Sequence, residues 1–194
     1  MARIRTFIAV DISDDQRSAV EMVQQQLQSA GLTAKWVSPA DFHITLHFLG
    51  EINEREVGAL CNAINRVAKK APPLTLGIAG LGAFPNLRRP KTIWAGVTEG
   101  ADELGHIHDA LRDPLAELGC YRHEDRRYTP HLTLGRCKAE EESEAAAAEL
   151  AKYANWSAGS RPVHEIRLYR SEPTRKGFEY TLLGRGELRG KPLT

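Results

Sequence analysis

Residues 43–46 read His-Ile-Thr-Leu and residues 131–134 read His-Leu-Thr-Leu. This near-identical string, repeated 88 positions apart in a chain of 194, restricts the fold more than any other feature of the sequence. Proline precedes each copy, Pro39 four residues before the first and Pro130 directly before the second. Alternating apolar and β-branched residues favour a half-buried strand. Side chains on a strand alternate between faces, so His43 and Thr45 share one face while Ile44 and Leu46 share the other. The same parity separates His131 and Thr133 from Leu132 and Leu134. Two such strands facing each other line a groove with two imidazoles and two hydroxyls.

The flanking sequence repeats too. Phe7-Ile8-Ala9-Val10 and Trp94-Ala95-Gly96-Val97 open matching runs of strand, helix, loop, strand, helix and strand, 87 residues apart. In the first run, Ser13 with Gln16 forms a capping box before a helix striped by Val20, Val23 and Leu27. Asn53 with Glu56 opens a second helix, striped by Val57, Leu60, Ile64 and Val67. Residues 74–84 read as a strand bent at its glycines. In the second run, Leu104, Ile107, Leu111, Leu115 and Leu118 have helical spacing, with Pro114 expected to kink or break the helix. Residues 140–153 are rich in alanine and glutamate and read as a peripheral helix. Residues 163–169 and 178–183 read as closing strands, and the chain from Gly186 as a loose tail. A duplicated unit packed face to face has a pseudo-twofold axis, which brings His43 and His131 across one cleft. No linker divides the copies, so residues 1–194 are read as one domain of two lobes.

Bulk properties narrow the function. A net charge of +1 excludes a global basic field for long duplex nucleic acid. A local patch remains, because Arg88, Arg89, Lys91, Arg122, Arg126 and Arg127 fall in two loops near the motifs. Cys61, Cys120 and Cys137 lack CxxC spacing, which excludes a conventional zinc knuckle and fits a reducing cytosol. The first apolar run, residues 7–10, is too short for a signal peptide or a membrane span, so a cytoplasmic location is expected.

Histidine titrates near neutrality, so two imidazoles across a cleft can share one proton and act as general base and general acid in one displacement. That suits in-line attack on phosphorus: one imidazole deprotonates water while the other protonates the departing oxygen. Thr45 and Thr133 are placed to donate to the non-bridging oxygens, where charge grows. Nothing in this scheme requires a metal or a cofactor, and the residues leave open which histidine is acid and which is base. Other candidates read as structural. His47 shares parity with His43 but sits farther along the strand, as a rim residue. His106 and His108 face apart on a helix and read as surface histidines. Trp36, Trp94 and Phe48 read as core, Phe48 by its parity with Leu46.

The two motifs have companions: Arg5-Thr6-Phe7-Ile8-Ala9-Val10-Asp11, Phe42 before the first motif, His47-Phe48-Leu49-Gly50-Glu51 after it, Phe84-Pro85-Asn86, Arg89-Pro90 before Trp94, and Gly135-Arg136 after the second motif. With these, the chain resembles the two-histidine phosphoesterase superfamily over nearly its whole length. Within it, the chain resembles the bacterial and archaeal RNA 2′,3′-cyclic phosphodiesterases, once called 2′-5′ RNA ligases. The resemblance implies a bilobal α+β fold with antiparallel sheets lining a central groove and helices outside. It implies hydrolysis of an RNA-terminal or nucleoside 2′,3′-cyclic phosphate to a 2′-phosphate; separately, a monomer is expected. It implies His43 as proton donor and His131 as proton acceptor. Arg136 matches the arginine that follows the second motif and would hold phosphate, although strand parity points it away from the groove unless the chain bulges at Gly135. Tyr128 stands where relatives often have phenylalanine. Two alternatives stand beside this reading: a phosphodiesterase for a small cyclic phosphate of the cyclic ADP-ribose phosphate type, and a non-catalytic RNA-binding module.

Overall fold

The computed structural model describes residues 2–121, 127–137, 144–175 and 177–191. The two motif strands, β3 (His43–Asn53) and β6 (His131–Cys137), meet antiparallel at Ile44 and Leu132. Outward from β3 lie β1 (Arg3–Asp11), β8 (Glu165–Thr174) and β9 (Gly177–Glu187). Outward from β6 lie β5 (Arg89–Glu99), β4 (Leu74–Asn86) and β7 (Ser157–Val163), while the short β2 (Ala34–Trp36) also pairs with β6. All these pairings are antiparallel. The strand order is a palindrome about β3 and β6, so a pseudo-twofold axis passes through the Ile44–Leu132 pair. The two half-sheets are joined there into one sheet of nine strands among the described residues.

The lobes are not the two sequence copies. β4 leaves the first copy to pair with β5 and β7 of the second, and β8 with β9 returns from the second to pair with β1 of the first. The register also corrects the repeat of the opening strands. His43 pairs with Asp11 and His131 with Gly96, so β1 and β5 correspond at a spacing of 85 residues rather than the 87 that their apolar runs suggest. Local apolar matching slips by one strand period of two residues.

Helices α1 (Asp14–Ser29), α2 (Val57–Ala68), α3 (Ala101–Glu117) and α4 (Glu144–Ala151) cover one face of the sheet. Val20, Val23 and Leu27 of α1, Leu60 and Ile64 of α2, and Leu104, Ile107, Leu111 and Leu115 of α3 are buried against Ile8, Val10, Ile44, Leu132 and Leu134. Both capping boxes form as read, at Ser13 with Gln16 and at Asn53 with Glu56, the latter through a single 3₁₀ turn, Glu54–Glu56. α3 is not broken at Pro114; it runs on to Glu117, its last turn held by Leu111 and Leu115, both fully buried. α4 buries only Leu150, and residues 140–143 of the expected helix lie outside the described residues. Residues 163–169 span the end of β7 and much of β8 rather than one strand. The expected loose tail is tied down: Leu188 is buried, and the Leu188, Arg189 and Gly190 amides donate to the carbonyls of His164, Ala68 and Ala71. No helix among the described residues is long and apolar enough to cross a membrane.

Two matching bulges at the motifs bend the central strands, and a further one on β3 leaves Leu49 between the Phe7–Phe48 and Thr6–Gly50 pairs. Ala9 pairs with Thr45 and Ile8 with His47, so Leu46 is an extra residue on β3; Trp94 pairs with Thr133 and Ile93 with Gly135, so Leu134 is the extra residue on β6. Each bulge reverses which face the following side chains take. The Leu134 carbonyl is satisfied from outside the ladder, by the Val37 amide at 2.8 Å and by Gln24 Nε2 at 2.9 Å. Gln24 is buried on α1 and also donates to the Val37 carbonyl at 2.8 Å. Gln24→Leu removes the side-chain donor to the Val37 carbonyl and one of the two donors to the Leu134 carbonyl, and should therefore lower the unfolding free energy by about 1 kcal/mol. Urea denaturation measures this, with exposed Gln25→Leu expected to change stability by less than about 0.5 kcal/mol.

Candidate active site

The groove lies on the sheet face opposite the helices, and its centre is built by the two motifs. Antiparallel pairing at Ile44 and Leu132 puts His43 beside Thr133 and Thr45 beside His131, all four on the groove face. The imidazoles are diagonal neighbours in the ladder, with backbone positions about 7–8 Å apart.

Both rings are held the same way. His43 Nδ1 lies 2.7 Å from the Asp41 carbonyl, and His131 Nδ1 lies 2.7 Å from the Thr129 carbonyl. A carbonyl only accepts, so each Nδ1 carries the hydrogen and each Nε2 is left with its lone pair turned from the backbone. Thr45 Oγ1 lies within hydrogen-bond distance of His43 Nε2, at 3.1 Å. Aromatic side chains wall each ring. Phe7 lies 4.8 Å from His43 and Tyr180 meets it edge-on at 5.4 Å, while Phe84 meets His131 edge-on at 5.0 Å with Trp94 at 6.3 Å. Burial pushes both imidazole pKa values below the usual histidine value; His131 opposes the proton on His43, and Arg136 opposes the proton on His131.

The bulges account for the residues that strand parity misplaces. Gly135 is buried after Leu134, and the next residue, Arg136, is exposed with its charge acting on both His131 and Tyr180. It therefore faces the groove, turned there by the bulge at Leu134, one residue before the Gly135 expected from the sequence. Phe48 is the matching residue after the β3 bulge; it is 50% exposed rather than core. His47, expected at the rim, turns inward and is buried. Trp94 lies in the groove beside His131, and its indole covers Gly82 so closely that a Cβ there would sit 2.3 Å from the ring. Trp36 packs half-buried against the core.

His108 is not a surface histidine. It stacks on His47 at 4.1 Å and on Tyr128 at 4.2 Å, its carbonyl accepts from His47 Nε2 at 2.8 Å, and the Tyr128 hydroxyl donates to the Thr45 carbonyl at 3.0 Å. This column of rings ties α3 to β3 and to the segment that carries His131. Nothing local in the sequence marks it, because it depends on the bulge that turns His47 inward. Of the basic residues, Arg88 and Arg89 line an open hollow of about 920 Å³ that reaches Trp94. Arg122 and Arg126 lie outside the described residues. Among the described residues, no three His, Cys, Asp or Glu side chains gather as a metal ligand set.

A palindromic sheet with one His-x-Thr motif on each side of its axis is the architecture of a two-histidine phosphoesterase. The model of the 2′-5′ RNA ligase superfamily matches residues 17–175, and the chain belongs to that superfamily. It is 34% identical over 179 residues to the RNA 2′,3′-cyclic phosphodiesterase of Methanothermobacter thermautotrophicus, covering 92% of this chain and 96% of that one. It is also 34% identical over 177 residues to the RNA 2′,3′-cyclic phosphodiesterase of Archaeoglobus fulgidus, covering 91% and 96%. Among solved structures, TT0787 of Thermus thermophilus superposes with a TM-score of 0.81 at 29% identity, covering 97% of this chain and all of that one. LigT of E. coli complexed with 3′-AMP superposes at 0.75 with 26% identity, covering 96% and 99%.

Burial also lowers the His47 pKa, to about 4 from its ordinary 6.5. Between those values the unfolded chain takes up a proton that the folded state refuses. Stability should therefore fall as pH drops from about 6.5 to about 4 and level off below, by about 3 kcal/mol from this residue. His47→Phe keeps a ring in the column and removes the titration. Urea denaturation at a series of pH values should give a shallower acid decline for this variant than for the wild type.

Proposed function

We propose that this protein is an RNA 2′,3′-cyclic phosphodiesterase that opens the cyclic phosphate to a 2′-phosphate by metal-independent acid–base catalysis. The observation that carries the reading is the pair of imidazoles related by the twofold, each locked as the Nδ1–H tautomer and each presenting Nε2 to the same groove. Two relatives covering almost the whole chain bear that activity as their names, and a LigT neighbour is complexed with 3′-AMP.

His131 Nε2 takes a proton from water, and the hydroxide attacks phosphorus in line with the ribose 3′ oxygen. The P–O3′ bond breaks, O3′ takes the proton held on His43 Nε2, and the phosphate stays on the 2′ oxygen. Thr45, Thr133 and Arg136 hold the non-bridging oxygens, where charge accumulates as the transition state forms. The reverse reaction, joining ends through a 2′-5′ linkage, uses the same groups. Both imidazoles come from one chain, so a monomer of one bilobal domain, acting in the cytoplasm, suffices. The arginine-lined hollow beside Trp94 favours an RNA end over a small cyclic phosphate as substrate. A tautomer-fixed pair of histidines is of no use to a module that only binds.

His43→Ala and His131→Ala should each lower kcat on an RNA ending in 2′,3′-cyclic phosphate by about 10²–10⁴-fold while leaving the circular dichroism spectrum unchanged. Wild-type turnover should persist in EDTA and give the 2′-phosphomonoester. Near-normal turnover in either variant, or a 3′-phosphate product, overturns the proposal.

A further inference from the structure

The twofold supplies two imidazoles with the same tautomer, yet one-step hydrolysis needs them unlike, one protonated and one not. We infer that Asp11, clamped by Arg167 and Tyr169, is the positioning residue that keeps the proton on His43 and so makes it the donor. This rests on the phosphodiesterase reading above.

Two breaks in the symmetry bear on the proton, and the first lies beside His43. Asp11 is the cross-strand partner of His43, on the same face of the sheet. The equivalent partner of His131 is Gly96. A Cβ added at Gly96 would stand 2.9 Å from the Ala79 carbonyl oxygen, so no carboxylate can occupy that position without moving backbone. Asp11 is fixed rather than free. The Tyr169 hydroxyl lies 2.9 and 3.0 Å from its two oxygens, Arg167 Nη1 donates to it, and Arg167 Nε is anchored on Glu165 at 2.6 Å. Tyr169 stacks on Phe7 at 5.4 Å, and Phe7 lies against His43, so the clamp and the imidazole share one wall.

The second break points the same way. After the bulges, the first copy has Phe48 where the second has Arg136. An anion thus stands beside His43 and a cation beside His131. The groups facing His43 are Asp11 from β1 and the Asp41 carbonyl, which favour its proton, and His131 from β6 and Arg17 from α1, which oppose it. Tyr180 from β9 stays neutral, because burial and the charge of Asp41 push its phenol up. An opposite charge close to a titrating group favours the charged form.

The test is an NMR titration of the imidazoles in the full chain, without substrate. In the wild-type protein His43 should titrate above His131; the reverse order overturns the inference, whatever the variants do. Asp11→Asn should lower the His43 midpoint by about one pH unit and leave His131 in place, and Asp11→Glu should recover most of the loss. An unmoved His43 in a folded Asp11→Asn protein also overturns it. With cyclic-phosphate RNA, the alkaline limb of kcat for Asp11→Asn should move to lower pH by the same amount, with KM unchanged. The two readings fail separately. If His43 follows the charge at position 11 but the wild type opens no cyclic phosphate, the electrostatic assignment stands and the phosphodiesterase falls. If turnover is present but the midpoint is unmoved, the reverse holds.

Discussion

Everything at the centre of this molecule depends on one pairing, Ile44 with Leu132. Among the described residues it is the ladder contact that joins β3 to β6, and it lies on the pseudo-twofold. Both side chains are fully buried on the core side. Because faces alternate along a strand, burying these two forces their neighbours, His43, Thr45, His131 and Thr133, to the opposite face. The hydrophobic effect thus aims the polar residues: the core fixes the register, and the register fixes which atoms meet in the groove.

The bulges carry the next level of control. Leu46 and Leu134 each directly follow a threonine that is still paired in the ladder, so each strand presents a histidine and a threonine by ordinary parity and then reverses. Reversal turns His47 into the ring column with His108 and Tyr128, and it turns Phe48 and Arg136 toward the groove. The Leu134 insertion is stabilised from α1, by Gln24. A helix on the far side of the sheet therefore helps set the position of a cation beside His131.

What is legible in the sequence follows from this. The motif strands, the capping boxes, the apolar helix stripes and the twofold are local or periodic, and each shows in the order of residues. The pair His43 and His131 is legible because a string such as His-x-Thr-Leu seldom recurs by chance. Phe48 and His47 are not, because parity carries through Leu46 only if the ladder does not slip there. Trp94 is hidden because its ring lies over Gly82, and the room above that glycine is visible only once β4 is paired with β5. Asp11 shows in the sequence only as the end of the Arg5–Asp11 stretch, not as a partner of His43: that relation is a ladder pairing between strands, and its partners Arg167 and Tyr169 lie 156 and 158 residues away in the chain.

The crossing of strands between the copies has the form of an exchange between two like chains. An ancestor of half this length would have lacked the outer strands of its own lobe, with β4 projecting from one side and a bare edge on the other. Such an edge invites a neighbour. Two identical chains trading those strands would have completed both sheets at once and placed one histidine from each at their common seam. Fusing two such chains end to end would join the intertwined dimer into a single polypeptide, in which the two halves are free to differ, with an acidic residue on one side of the seam and a basic one on the other.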